Sequence, residues 1–171
     1  MIGWSGCPDA TAENPTVARG WQCALTVPRE LSMRDGKLCQ QPAHEIERMR
    51  GDCVRATGGE TVEEPGRLFD LVVSCEGTQV IELEIRKGVF VRYTDGMLTL
   101  DMGDEGYGRD QRSIELGELR DLRALSDTTM VEIFANGGEA ALTSRTYSPA
   151  VPAMELHAEG AASMNFYRLV H

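Results

Sequence analysis

Acid–base work is the first chemistry this sequence could supply, because 27 of its 171 residues are aspartate or glutamate. Useful acid–base catalysis needs two carboxyls close together, in environments that push their pKa values apart. So many carboxylates guarantee chance neighbours. Glu82 and Glu84 alternate with Ile81, Leu83 and Ile85, which reads as the solvated outer face of a strand. Metal chemistry finds less support. His44, His157 and His171 are far apart, and no known ligand spacing accompanies them. The five cysteines, Cys7, Cys23, Cys39, Cys53 and Cys75, are odd in number and form no Cys-x-x-Cys pair. They read as reduced thiols of a cytoplasmic protein, not as a disulfide framework or a zinc site. No metal and no other cofactor is expected.

Hydrophobic residues make up 42% of the chain, which suits one globular domain with its own core. A net charge of −10 argues against nucleic acid and anionic membrane surfaces, since both need a cationic face. No apolar run is long enough to span a bilayer. The opening MIGWSGCPDA has neither the basic region nor the apolar run of an export signal. Ile2 to Trp4 reads as the middle of a strand, so a preceding segment is expected.

The elements that must position any site are strands. In TTMVEIFANGGEAALTSRTYS, residues 128–148, Val131, Ile133 and Ala135 alternate with Glu132 and Asn136. Phe134 breaks the pattern and points to a second layer. Asn136-Gly137 predicts a type I′ turn, whose two central residues need positive φ. Beyond it, Ala140 and Leu142 take one face and Thr143 and Arg145 the other. Asp35-Gly36, Lys87-Gly88 and Asp95-Gly96 mark further turns. Residues 80–102 form a three-stranded meander, and residues 68–75, 113–116, 119–125, 154–158 and 163–170 read as further strands. Residues 42–50 form the one plausible helix, with Ile46 and Met49 on a shared face and Gly51 closing it. Residues 57–66 read as a polar loop, and residues 103–112 as a loop without a phosphate cradle. Many short strands with turns between them imply an all-β fold, an antiparallel β-sandwich of two packed sheets.

Three stretches carry a family resemblance. VEIFANGGEAALTSR resembles the end of the β-sandwich in glycoside hydrolase family 32, the invertases, fructanases and sucrose-6-phosphate hydrolases. GWQCALTVPRELSMRDGKLCQQP, residues 20–42, is similar to that family's junction between catalytic propeller and sandwich. Ile2-Gly3-Trp4 resembles a strand of the last propeller blade. The resemblance implies three parts. Residues 1–41 would be the remnant of the last blade and the junction, residues 42–66 a linker with a short helix, and residues 67–171 the C-terminal sandwich.

Members of the family are retaining glycosidases, which hold two carboxyls at a short fixed separation around the anomeric carbon. The family places these, with a third acidic residue, in WMNDPNG-like, RDP and EC motifs on earlier blades. Asp9 follows Pro8 without that setting, Asp35 precedes Gly36, Asp110 precedes Gln111, and Cys75-Glu76 reverses the EC order. No residue is carried over as catalytic. Trp4 is the one candidate for substrate binding, since an aromatic ring near a propeller mouth can stack on a sugar face; its alternative is packing.

The expected function is therefore a C-terminal sandwich module of a β-fructofuranosidase-like hydrolase, non-catalytic by itself. The alternatives are a carbohydrate-binding module, and one half of a split β-fructosidase that is active only with an upstream chain. The partners expected are a second copy meeting through the N-terminal strands, an upstream catalytic propeller chain, and carbohydrate. The residues that distinguish sucrose, phosphorylated sucrose and fructans lie mainly on the propeller.

Overall fold

The structure is a computed structural model that describes residues 1–6 and 13–170. Cys7 and Asp9 lie outside the described residues. The chain opens with β1 (Trp4–Ser5), β2 (Ala24–Leu25), β3 (Arg29–Arg34) and β4 (Lys37–Pro42). It continues with β5 (Arg50–Thr57), β6 (Thr61–Glu63), β7 (Phe69–Ser74) and β8 (Val80–Arg86). Then come β9 (Val89–Thr94), β10 (Met97–Asp101), β11 (Gln111–Glu115) and β12 (Asp121–Asp127). The last four are β13 (Met130–Ala135), β14 (Ala140–Arg145), β15 (Ala153–Glu159) and β16 (Ser163–Leu169). Short 3₁₀ helices occupy Pro15–Arg19, His44–Met49 and Gly103–Gly106. No helix among the described residues is long and apolar enough to cross a membrane.

Two six-stranded antiparallel sheets form the expected sandwich, one ordered β11-β10-β9-β8-β15-β6 and the other β14-β13-β12-β7-β16-β5. Period-2 alternation sends every second side chain inward. In the second sheet, cross-strand pairing builds inner rows such as Phe166, Leu71, Ala124, Ile133 and Leu142. These rows meet Ile81, Leu83, Val91, Leu98 and Leu100 of the first sheet in one apolar cluster. At one end, Arg86 is fully buried without a carboxylate partner. Its guanidinium donates instead to the carbonyls of Ser148, Arg67, Asp127 and Thr128 and to the Ser126 hydroxyl, all at 2.9–3.1 Å. Burial pulls its pKa down to about 10, so it stays cationic at neutral pH.

Several elements differ from the sequence reading. The expected helix at residues 42–50 is the 3₁₀ helix His44–Met49, and Gly51, expected to close it, lies inside β5. Residues 42–66 also hold the edge strands of both sheets: β5 pairs with β16 and β6 with β15. The expected polar loop at 57–66 thus contains a strand, anchored by the buried Val62. The connection after Ala135 has four residues where a two-residue type I′ turn was expected, although Asn136 and Gly137 do take positive φ of 51° and 60°. Packing explains the longer loop. Gln40 N donates to Gly138 O at 2.9 Å, and a Cβ on Gly138 (φ 87°) would stand 2.1 Å from the Gln40 carbonyl oxygen. Only glycine allows β4 to approach so closely.

Glu132 and Asn136 were expected on a solvated face, yet each is only 2% exposed. The outer face of the second sheet is covered by residues 20–49, so β13 is buried on both sides. Phe134, which broke the alternation, faces that covering layer.

Candidate functional site

The outer face of the second sheet gathers the buried carboxylates among the described residues, Asp70 and Glu132, with their arginines. Pairing register places Tyr167, Asp70, Leu125, Glu132 and Thr143 in one cross-strand row, and Asn165, Val72, Arg123 and Phe134 in the next. Each is an alternate position of an otherwise apolar strand, so its side chain must find a partner outside the sandwich core.

Glu132 finds Arg29. The two form an ion pair, with side chains 2% and 8% exposed. Glu132 Oε1 also accepts the Val27 N–H at 2.7 Å, and Arg29 donates to Thr143 Oγ1 at 2.7 Å and to Gln40 Oε1 at 2.9 Å. The Arg29 guanidinium lies 5.0 Å from the Phe134 ring centroid. Arg34 donates to the Asn136 carbonyl, Gln41 Nε2 to that of Gly137 at 2.7 Å, and Arg145 Nη1 to that of Gln22 at 2.9 Å. Residues 22–42 are thereby latched to the sheet by one buried ion pair and a set of directional hydrogen bonds, most with a charged partner.

Asp70 is fully buried and holds two arginines. Its Oδ2 accepts Arg50 Nε and Arg123 Nη2, each at 2.7 Å, and its Oδ1 accepts Arg123 Nε at 2.9 Å. The Arg50 guanidinium lies 4.4 Å from the Tyr167 ring centroid. Both arginines approach the half-exposed Glu47, at 3.6 and 3.4 Å.

Two clefts flank this ridge. An apolar one of about 430 Å³ lies among Leu25, Ile46, Met49, Leu125, Met130 and Leu169. A polar groove of about 300 Å³ lies beside Arg50, Arg123, Asn165 and Gln41. Neither contains the arrangement of a retaining glycosidase. Glu132 and Asp70 are the buried carboxylates here, and the oxygens of each are occupied, by arginine and, in Glu132, also by the Val27 N–H. A general acid needs the opposite environment, one that favours the protonated form. Glu30 and Glu60 are held below the usual carboxylate range by bonds to His44 and Thr57.

The residues singled out from sequence are scattered. Trp4 lies in β1, paired with Leu25 and 62% exposed, and it lines neither cleft. Asp35 sits in the β3–β4 turn. Arg109, beside Asp110, is buried and donates to the Glu13 carbonyl at 2.9 Å and to Asn14 Oδ1 at 2.7 Å. Cys75 is buried, and its thiol is pushed up to about 12 by burial and by Asp121. Cys23, Cys39, Cys53 and Cys75 are free. His44 does meet Glu30 and Glu45, in an exposed cluster whose ligand-type atoms lie within 4.8 Å of one another. The sequence reading missed Asp70, Arg123 and Glu132; the available signal was a charge inside each of three apolar runs, FDLVVS, DLRALS and MVEIFA.

A two-sheet sandwich with a two-stranded ribbon and a hairpin latched to one outer face defines a class, a β-sandwich fused to the end of another β domain. Residues 1–42 match the family model "Glycosyl hydrolases family 32 N-terminal domain", and residues 87–169 match "Glycosyl hydrolases family 32 C terminal". The chain belongs to glycoside hydrolase family 32 and holds a C-terminal portion of that architecture. It is 37% identical over 168 residues to raffinose invertase from Escherichia coli, covering 88% of this chain and 34% of that protein. It is 30% identical over 160 residues to sucrose-6-phosphate hydrolase from Salmonella typhimurium, covering 88% of this chain and 32% of that protein. The chain thus spans about a third of the length of these curated relatives. The solved structure of sucrose-6-phosphate hydrolase from Lactobacillus gasseri has the same fold over 98% of this chain and 38% of that one, with a TM-score of 0.84 at 20% identity.

Proposed function

We propose that this chain is the sandwich base of a β-fructofuranosidase-class hydrolase, and that it supports a catalytic propeller without carrying the reaction itself. The observation that carries this reading is the latched outer layer. Residues 22–42, within the stretch that matches the family's N-terminal domain, are tied to the sandwich by Arg29–Glu132 and its neighbours. The carboxylates at that junction serve as anchors, which leaves the two-carboxyl chemistry to residues elsewhere. The free cysteines support a cytoplasmic location. In the split-enzyme version of the same reading, the propeller arrives as a separate chain.

The test is fructose release from sucrose, sucrose 6-phosphate and inulin. The purified chain should release none, because lacking the carboxyl pair forfeits most of the chemical acceleration. Turnover that co-purifies with this chain alone would overturn the proposal. A carbohydrate-binding role is a second reading, favoured by the polar groove beside Arg123.

A further inference from the structure

The groove beside Asp70 collects polar groups whose hydrogen-bonding capacity neither latch nor core uses up. Asp70 orients the guanidiniums of Arg50 and Arg123 from below, using both Nε groups and Arg123 Nη2. Arg50 Nη2 is left without a protein acceptor among the described residues, and the two Nη1 groups have only the long approaches to Glu47. Around them, two more planar polar groups are fixed by one end and free at the other, and a third, Asn165, is hardly engaged. Gln41 is held through Nε2 on the Gly137 carbonyl, which leaves Oε1. Asp121 is held through Oδ1, which accepts the Gly137 N–H at 2.8 Å, and this leaves Oδ2. Asn165 has only a long contact from the Cys53 thiol at 3.9 Å, so its amide nitrogen is free.

We propose that this groove binds a neutral sugar ring, a fructosyl or hexosyl unit of an oligosaccharide. Three observations select that class. The groove offers both donors, at Arg50 and Asn165, and acceptors, at Gln41 and Asp121, as hydroxyls require, since each hydroxyl both donates and accepts. Arg50, Arg123, Gln41 and Asp121 are held by the buried Asp70 or by the Gly137 backbone before any ligand arrives, so little ordering remains to oppose binding. The charges do not favour an anion: Arg50 and Arg123 are matched by Asp70 and Glu47, and Asp121 leaves one negative charge over, so an anion gains nothing over a neutral polyol. The volume, about 300 Å³, lies at the small end of ligand pockets and suits one ring rather than a chain buried along its length. The choice of fructosyl or hexosyl units rests on the fructosyl-hydrolase reading above; the choice of a neutral polyol does not.

The test is amide NMR on the intact labelled chain, titrated separately with fructose, sucrose, inulin-derived oligosaccharides and inorganic phosphate. A sugar should move the side-chain amides of Asn165 and Gln41 saturably, with a Kd of about 1–10 mM. Asn165→Ala and Gln41→Ala should each weaken binding by about tenfold; in Asn165→Ala, which breaks no bond of the latch, the thermal midpoint should stay put, which separates a lost contact from a lost fold. The proposal is overturned if no sugar produces a saturable shift, if the shifts fall elsewhere on the chain, or if both variants bind as the parent does. It is equally overturned if phosphate alone occupies the groove, which would make it an oxyanion site. A negative titration leaves the proposed function standing, since that is judged by fructose release.

Discussion

The two sheets of the sandwich contain the same kind of ion pair in opposite settings. On the outer face of the first sheet, Arg92 Nε meets Glu82 at 2.7 Å, with side chains 35% and 46% exposed. On the outer face of the second, Arg29 meets Glu132 with side chains 8% and 2% exposed. The first pair is decoration on a solvated face. The second is the fastening of a third layer. Water is the difference. An exposed pair exchanges protein contacts for hydration at little net gain, while a buried pair leaves a stranded charge when one partner is removed. A sheet with one covered outer face therefore holds its extra layer by orientation-specific charges, where the inner face relies on volume.

Removing the layer outright should give the largest effect. A chain lacking residues 1–30 loses Arg29 and β1–β2 but keeps both sheets and their inner rows. It should melt in a sharp transition at lower temperature, because the two inner faces still bury one another. A molten, dye-binding product would show that the outer layer is part of the core. The same pair of proteins tests the proposed self-association. Met1, Ile2, Trp4 and Leu25 are 54–63% exposed, and among the described residues β1–β2 is a two-stranded ribbon with open edges. Val27 and Gln22 are satisfied by the chain's own sandwich, whereas these apolar side chains stay bare. Light scattering should find a dimer at tens of micromolar that the deletion abolishes. A monomeric intact chain, or a dimer that survives the deletion, would refute it.

Next in size is the direct comparison of the two pairs. Glu132→Ala should cost about 3 kcal/mol, since it strands a buried guanidinium. Glu82→Ala should cost no more than about 0.5 kcal/mol. The loss in Glu132→Ala also has a ceiling: if stranding Arg29 costs too much, the layer can peel away instead. Chemical unfolding of the three variants would break the comparison if the two glutamates proved equivalent, or if Glu132→Ala lost more than the deletion.

The smallest effect concerns His44, where the hairpin touches the 3₁₀ helix. A bond from Glu30, then the charge of Glu45, raises its pKa above the ordinary 6.5, while the same bond lowers Glu30 below 4.5. A raised histidine contributes stability that is whole below its ordinary value and fades as pH rises through its folded value. A lowered glutamate contributes stability that is present above its ordinary value and fades as pH falls through its folded value. The contact is therefore strongest between these two limits. NMR titration should place the His44 midpoint above 6.5, and Glu30→Gln should bring it back down. Because both side chains are exposed, the thermal midpoint should hardly move.

Local chemistry was legible without coordinates. Positive-φ turns at Asp35-Gly36 and Asp95-Gly96, and the alternation of residues 80–102, follow from interactions within a few residues, and the structure has them. Alternation also called for an apolar interior, which a barrel would satisfy as well; the family resemblance favoured the two-sheet sandwich that the structure has. RGDCVRAT gave no such signal. It is an exposed edge strand in which Ala56 alone is buried, and β16, more than a hundred residues later, makes it a strand. Nor could spacing show that Glu132 is buried, since polar residues alternating with apolar ones look the same whether water or another layer lies above them. Only the tertiary structure decided that. It sets β7 between β12 and β16, which brings Asp70, Arg123 and Asn165 onto neighbouring rows, and it lays Arg29 over Glu132 across a separation of 103 residues. Period and turn chemistry are properties of adjacent residues. What covers a face is decided by which distant segment reaches it first with matching charge and shape.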